Sequence, residues 1–112
     1  MTTKRATPMS DKSLAFLEKL SGRKMTLGNL LWSVRESEEM SQAIFAKKLK
    51  ISRQYLCDIE HGRRVVSAEA AASFAKTLGF SPMHFIRLAL QDALNKLGFH
   101  FDVDLREHKD AA

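Results

Sequence analysis

Apolar residues recur every three or four positions through most of the chain, which is the period of an amphipathic helix. Between Thr26 and Leu97 this spacing predicts five helices, with serine, threonine or proline near each start and glycine after several ends. The fold class is therefore predicted to be all-α, with a five-helix domain over residues 27–98. The apolar positions that carry the pattern are Leu27, Leu30, Leu31, Val34, Ile44, Phe45, Ala46, Leu49, Leu56, Ile59, Ala70, Ala71, Phe74, Ala75, Leu78, Phe85, Ile86, Ala89, Leu90, Ala93, Leu94 and Leu97.

The N-terminal extension, residues 1–26, begins with a polar stretch and continues with a short apolar segment. Ser10 or Asp11 can cap a short helix there that ends near Gly22. We expect this extra N-terminal helix to cover an apolar patch of the domain, with docking of a partner as the alternative. Its apolar residues are Leu14, Phe16, Leu17 and Leu20.

The C-terminal segment, residues 99–112, has a different period. Apolar and polar residues alternate there, as in a half-buried β-strand. One isolated strand cannot satisfy its own backbone hydrogen bonds, so we expect it to pair with the same strand of a second subunit or with the sheet edge of a partner. A tail packed by its phenylalanines is the alternative. The apolar residues of the segment are Phe99, Phe101, Val103 and Leu105.

The stretch from Ser41 to Arg64 predicts two short helices joined by a tight turn, a helix-turn-helix. Ser41 and Ser52 can each cap one of these helices, because a serine hydroxyl accepts a hydrogen bond from an N–H group of the first turn. Ala46 is small enough to let the second helix cross closely over the first. Gly62 ends the second helix, since glycine adopts the left-handed conformation without steric cost.

This stretch resembles the helix-turn-helix of the phage-repressor, or Xre/Cro-like, family, and the resemblance covers about residues 27–97. A departure is Lys50, at a turn position where the family usually has glycine. A lysine can take the required positive φ at a cost of roughly 1 kcal/mol. The residues that match the family pattern are Gln42, Ala46, Ile51, Ser52, Leu56, Ile59, Glu60, Gly62 and Arg63.

The resemblance implies a DNA-binding transcription regulator, most simply a repressor, that acts as a homodimer on an inverted-repeat operator. It also implies an ion pair between Arg35 and Glu60, with two solvated charges as the alternative. Part of the last helix would form a two-fold contact that places two recognition helices about 34 Å apart. Complete burial of that helix within the monomer is the alternative. Together with the C-terminal strand, the residues expected at a dimer or partner contact are Phe85, Leu90, Leu94, Phe99, Phe101 and Val103.

The charge of the chain agrees with a nucleic-acid partner. The formal net charge is +5 and the pI is near 9.6. The excess is concentrated, because residues 42–64 hold six lysines and arginines against two acids. Such a density of positive charge around a predicted recognition helix indicates a polyanionic partner, here double-stranded DNA.

Within the helix-turn-helix, the expected roles divide by position. Arg53 and Gln54, in the first turn of the second helix, are expected to read bases, because arginine fits guanine and glutamine fits adenine. Tyr55 and Asp58 are the next candidates for base contacts. The other polar residues are expected to contact phosphates, which sets the register without reading the sequence. They are Gln42, Lys47, Lys50, Ser52, His61, Arg63 and Arg64.

Other classes of function find little support in the sequence. Cys57 is the single cysteine, so no intramolecular disulfide can form. No apolar run reaches the ~18 residues of a membrane span or resembles a signal peptide, and a cytoplasmic location is expected. The histidines lack metal-ligand spacing and no glycine-rich phosphate loop is present, so we expect no enzyme activity, no metal site and no cofactor.

Two hypotheses of different classes therefore remain. The first is the DNA-binding transcription regulator. The second is an antitoxin similar to the HigA type, which neutralises a toxin protein by direct contact and represses its own operon with the same domain. A minimal repressor does not require the N-terminal helix and C-terminal strand, whereas a toxin-binding surface could use them. A fold kept only as a protein-binding scaffold is disfavoured by the intact basic rim.

Overall fold

The computed structural model describes residues 25–108, and this part of the chain contains five α-helices. The all-α, five-helix prediction is confirmed for these residues. No helix among them is both long and apolar enough to cross a membrane. The predicted N-terminal helix lies outside the described residues. The helices are α1 (Leu27–Ser37), α2 (Gln42–Leu49), α3 (Arg53–Glu60), α4 (Ala68–Leu78) and α5 (Pro82–Lys96).

Side-chain caps start the first four helices. Thr26, Ser41, Ser52 and Ser67 each accept a hydrogen bond from the backbone N–H three residues later, at 3.0 to 3.2 Å. Each cap satisfies one of the N–H groups that a helix start leaves without a partner. Ser81 occupies the same position before α5, but its side chain makes no such bond. Proline at the first position of α5 supplies the helical φ there instead.

The turn between α2 and α3 depends on Lys50, which adopts the left-handed conformation with φ 63° and ψ 41°. Its N–H donates to the carbonyl of Lys47, and the N–H of Ile51 donates to the carbonyl of Ala46 at 3.0 Å. These bonds satisfy carbonyls at the end of α2 and turn the chain sharply into α3. The positive φ predicted at this position is therefore present with a lysine in place of the usual glycine.

The core is formed by residues from all five helices. Phe45 and Phe85 are its largest residues, and both are fully buried. Ile44 was expected on the inward side of α2, yet it is 59 % exposed. Phe45 and Leu49, one turn apart, already face the core, so the neighbouring position points away from it.

Phe85 does not belong to a partner contact as the sequence suggested. It is 0 % exposed and its ring stacks on that of Phe80 with centroids 5.3 Å apart. Leu90 is 37 % exposed at the surface of α5, and Leu94 is half-buried. Fewer apolar side chains of α5 are therefore exposed than its sequence pattern indicated.

Residues 99–108 form no β-strand, contrary to the prediction from their alternating pattern. The buried side chain of Gln91 holds this segment against α5 instead. Its Nε2 donates to the carbonyl of Phe101 at 2.7 Å, and its Oε1 accepts from the N–H of Val103 at 2.8 Å. One side-chain amide thus supplies the two bonds that a neighbouring strand would make, because a single chain offers no sheet edge at this place.

Candidate nucleic-acid interface

The position of α3 on the domain depends on a close approach to the start of α1. A Cβ atom at Gly28 would fall on the backbone carbonyl oxygen of Ile59, in the last turn of α3. Only a residue without a side chain permits this approach. Gly28 therefore lets α3 lie against α1 with its other face directed to solvent.

A buried ion pair joins the same two helices. Arg35 donates from Nε to Oε2 of Glu60 at 2.8 Å and from Nη2 to Oε1 at 3.1 Å. Their side chains are only 11 % and 2 % exposed. The hydrogen bond to Glu60 raises the pKa of Arg35, so the guanidinium stays charged at neutral pH. Arg35 also donates to the carbonyl of Met40, which ties the α1–α2 connection to the pair.

The side-chain amide of Gln42 extends this network to the surface. Its Nε2 donates to Oε1 of Glu60 at 2.9 Å, and its Oε1 accepts from Nη1 of Arg53 at 3.1 Å. Because a carboxylate can only accept, Glu60 determines which end of the amide faces Arg53. The first residue of α2 is thereby bonded directly to the first residue of α3, and it links Arg53 to the buried carboxylate of Glu60.

The exposed face of α3 carries a second network. Gln54 donates from Nε2 to Oδ1 of Asp58 at 3.0 Å, and Arg63 donates from Nε to the same oxygen at 3.1 Å. The bond from Gln54, together with Arg63, lowers the pKa of Asp58 against the effect of its burial. The Asp58 carboxylate thus holds the side chains of both Gln54 and Arg63.

Tyr55 and Arg64 pack on each other beside this face. The guanidinium carbon of Arg64 lies 5.0 Å from the centre of the Tyr55 ring, the geometry of a cation–π contact. Tyr55 is half-buried and contributes to the edge of the core. Its ring therefore supports an arginine at the rim and is less free to contact a base than Arg53 and Gln54.

The remaining residues expected at phosphates lie around the same surface. Lys47 and Lys50 are exposed at the end of α2. The hydroxyl of Ser52 is engaged as the cap of α3, and Nδ1 of His61 lies 2.8 Å from the carbonyl oxygen of Cys57. That these residues contact phosphates stays a prediction.

Comparison of the sequence with protein-family models agrees with this geometry. A model described as a helix-turn-helix domain matches residues 26–84, more than half of the chain. The chain belongs to the helix-turn-helix domain family. Comparisons with curated proteins and with solved structures found no match. Membership of this family points to a DNA-binding regulator.

The matched part of the helix-turn-helix domain includes every residue assigned above to a base or a phosphate, and it ends early in α5. The rest of α5 and the C-terminal segment lie outside the match.

Three positions that shape the fold were not found by sequence reasoning. Gly28 lies inside a predicted helix, where glycine is unfavourable, and that local conflict was a usable signal of a close contact. Gln91 and Asp92 are polar residues within the apolar pattern of α5. Gln91 bonds to the C-terminal segment and Asp92 bonds to the N–H of Leu27. Neither contact follows from a sequence pattern.

Proposed function

We propose that this protein is a sequence-specific transcription regulator of the Xre/Cro type, a repressor that binds double-stranded DNA as a homodimer. One observation carries the proposal. Arg53 and Gln54 stand exposed in the first turn of α3, and both are oriented by the hydrogen bonds that they donate to the neighbouring side chains of Gln42 and Asp58. Side chains held in one geometry lose less conformational entropy on binding, which favours discrimination between bases.

The proposed mechanism divides the contacts into two classes. Arg53 reads guanine and Gln54 reads adenine in the major groove, with each good contact discriminating by roughly 1 to 3 kcal/mol. Lys47, Lys50 and Arg64 contact phosphates at the rim and supply affinity that falls with added salt. The backbone amides at the start of α2 add a further phosphate site, since a helix N-terminus favours anions.

Binding as a homodimer follows from the size of one recognition surface. An eight-residue α3 covers only a few base pairs, and a two-fold partner would read a second half-site one helical turn away. The outer surface of α5 and the C-terminal segment is the proposed contact, where Leu90, Phe99 and Phe101 are exposed. The operator would accordingly be an inverted repeat.

The decisive experiment measures binding to DNA from immediately upstream of the protein's own gene by fluorescence anisotropy over a salt series, with a scrambled competitor. Arg53→Ala should abolish the preference for this DNA over the competitor. Arg106→Ala is the matched control, because Arg106 is exposed on the C-terminal segment and pairs only with the nearby Asp104 among described residues. Equal losses in both variants would reject base reading by Arg53.

A second candidate function is an antitoxin of the HigA type that also represses its own operon. The observation in its favour is an exposed apolar surface at the end of the chain: Leu97, Phe99 and Phe101 are 70 %, 48 % and 61 % exposed, and the two phenylalanine rings stack with centroids 5.6 Å apart. Co-expression with the product of a neighbouring toxin-like reading frame, followed by light scattering, tests it. A complex that Phe101→Ser disrupts would support this function.

A further inference from the structure

A cavity of about 330 Å³ lies between the start of α1, the end of α3 and the last turns of α5. Its walls are largely aliphatic, with Leu27, Ile59 and Val66 among them. This volume is at the lower end of the range for small-molecule sites in proteins. The proposed DNA contacts of the recognition helix do not use it.

Asp92 places a carboxylate in the wall of this cavity. Its Oδ2 accepts a hydrogen bond from the backbone N–H of Leu27 at 3.1 Å, and among the described residues this is its only hydrogen bond. Arg64 and Lys96 also border the cavity, yet neither forms an ion pair with Asp92 in the described part of the chain. One oxygen of a half-buried carboxylate therefore remains available to a ligand.

The free-energy cost of burying the Asp92 carboxylate supports a role beyond its hydrogen bond to the start of α1. Burial raises the pKa of Asp92, although its bond from Leu27 opposes the change. An asparagine at this position could accept the same N–H bond without burying a charge. The hydrogen bond to Leu27 therefore does not require the negative charge of Asp92. A cationic group in the cavity would neutralise that charge.

We propose that the cavity binds a compact apolar molecule that carries a protonated amine, with the ammonium donating to Asp92 and the apolar body lying against Leu27 and Ile59. The two cations at the rim are both exposed, so water and salt screen their repulsion of the ligand. Asp92, by contrast, acts from within the wall, where an ion pair is screened far less.

The cavity also connects this site to the DNA-binding surface. Its wall includes Gly62, Arg64 and Val66, which belong to the loop that leaves the recognition helix. Arg64 is the residue that packs on Tyr55. A ligand seated beneath this loop restrains it in the observed position, which lowers the entropic cost of DNA binding and makes the ligand a co-regulator. This second half of the inference rests on the proposed function, whereas the binding site does not.

The test uses the full chain and three probes of similar size: benzylamine, benzyl alcohol and benzoate. Titrations followed by ¹H–¹⁵N NMR should show benzylamine binding about tenfold more tightly than benzyl alcohol, with shifts centred on Leu27, Ile59 and Val66, and benzoate binding least. Asp92→Asn should remove the preference for the amine while retaining the fold, because asparagine keeps the bond to Leu27. Asp104→Asn, which removes a charge on the exposed C-terminal segment, should leave the preference intact.

Equal binding of the amine and the alcohol, or shifts outside the cavity, would overturn the proposed site. For the regulatory half, benzylamine should tighten binding of upstream DNA about fivefold in the native chain but not in Asp92→Asn. An unchanged DNA affinity in the presence of bound amine would overturn that half alone. If the protein bound no DNA under any condition, the proposed function would fail, and the NMR titration would still decide the binding site.

Discussion

Arg53 donates a hydrogen bond to the side-chain oxygen of Gln42 at 3.1 Å, so that the residue best placed to read a base is held by the first residue of the preceding helix. Gln42 is itself oriented by the buried carboxylate of Glu60. The sequence indicated a phosphate contact for Gln42, whereas its geometry in the free protein is that of a support for Arg53. Its other amide hydrogen remains compatible with a phosphate.

Replacing Gln42 by methionine should separate these two roles. Methionine keeps the length of the side chain but makes neither hydrogen bond, so Arg53 becomes free to adopt other rotamers. We expect specific DNA binding to weaken about tenfold, with non-specific binding nearly unchanged, since the loss of one hydrogen bond to a charged group is of this size. Anisotropy titrations with operator and scrambled DNA measure both. A uniform loss on both DNAs would instead assign Gln42 to a phosphate.

Breaking the buried ion pair should strongly destabilise the fold. Glu60→Ala leaves the guanidinium of Arg35 buried without its partner, and we expect the free energy of unfolding to fall by about 3 to 5 kcal/mol in urea denaturation. The double variant Arg35→Met/Glu60→Leu is the control, because it removes both charges. If the single and double variants lost equal stability, desolvated charge would not be the cause.

Gly28→Ala tests the close approach between α1 and α3. The added methyl group would meet the carbonyl oxygen of Ile59, and separation of the helices should cost about 1 to 3 kcal/mol. Thermal unfolding with calorimetry measures the loss. Gly98→Ala is a matched control, because that Cβ would meet no atom and only the positive φ of 87° costs about 1 kcal/mol. A smaller loss at Gly28 than at Gly98 would contradict the close contact.

Lys50→Gly should raise the stability of the fold and weaken DNA binding. Glycine relieves the strain of a φ of 63° and should raise the free energy of unfolding by ~1 kcal/mol. If Lys50 contacts a phosphate, the variant also reduces the slope of log Kd against log salt concentration by about 1. The control for the salt slope is Lys76→Ala. Alanine is chosen over glycine because Lys76 lies in a helix. An unchanged slope would remove Lys50 from the interface.

The pKa of Asp92 predicts a pH-dependent effect of Asp92→Asn. Burial raises the pKa in the folded chain above its ordinary value of 3.8, so the folded state holds the proton more tightly than the unfolded state. Protonation therefore stabilises the fold below 3.8, and this contribution is lost as pH rises through the raised pKa. Asp92→Asn should be more stable than the native chain at pH 7, with the difference shrinking as pH falls through this window. Urea denaturation at several pH values tests the sign.

The helices themselves were predictable because their determinants are local. Apolar spacing sets which residues can form one face, and the capping hydroxyls of Thr26, Ser41, Ser52 and Ser67 act within a single turn. The left-handed turn at Lys50 followed from the resemblance to a family with glycine at that position. The C-terminal segment forms no strand within the described chain, since an alternating pattern describes side-chain exposure and does not supply a pairing partner.

The sequence by itself determined the five helices, the basic character of one surface and the identity of the exposed residues Arg53 and Gln54. These properties depend on local propensity, periodicity and charge, which are written along the chain. Only the tertiary structure decided that Phe85 is core, that Gln91 holds the C-terminal segment and that Gln42 joins Glu60 to Arg53. Such contacts depend on distances of a few ångströms between segments far apart in sequence, and periodicity carries no information about them.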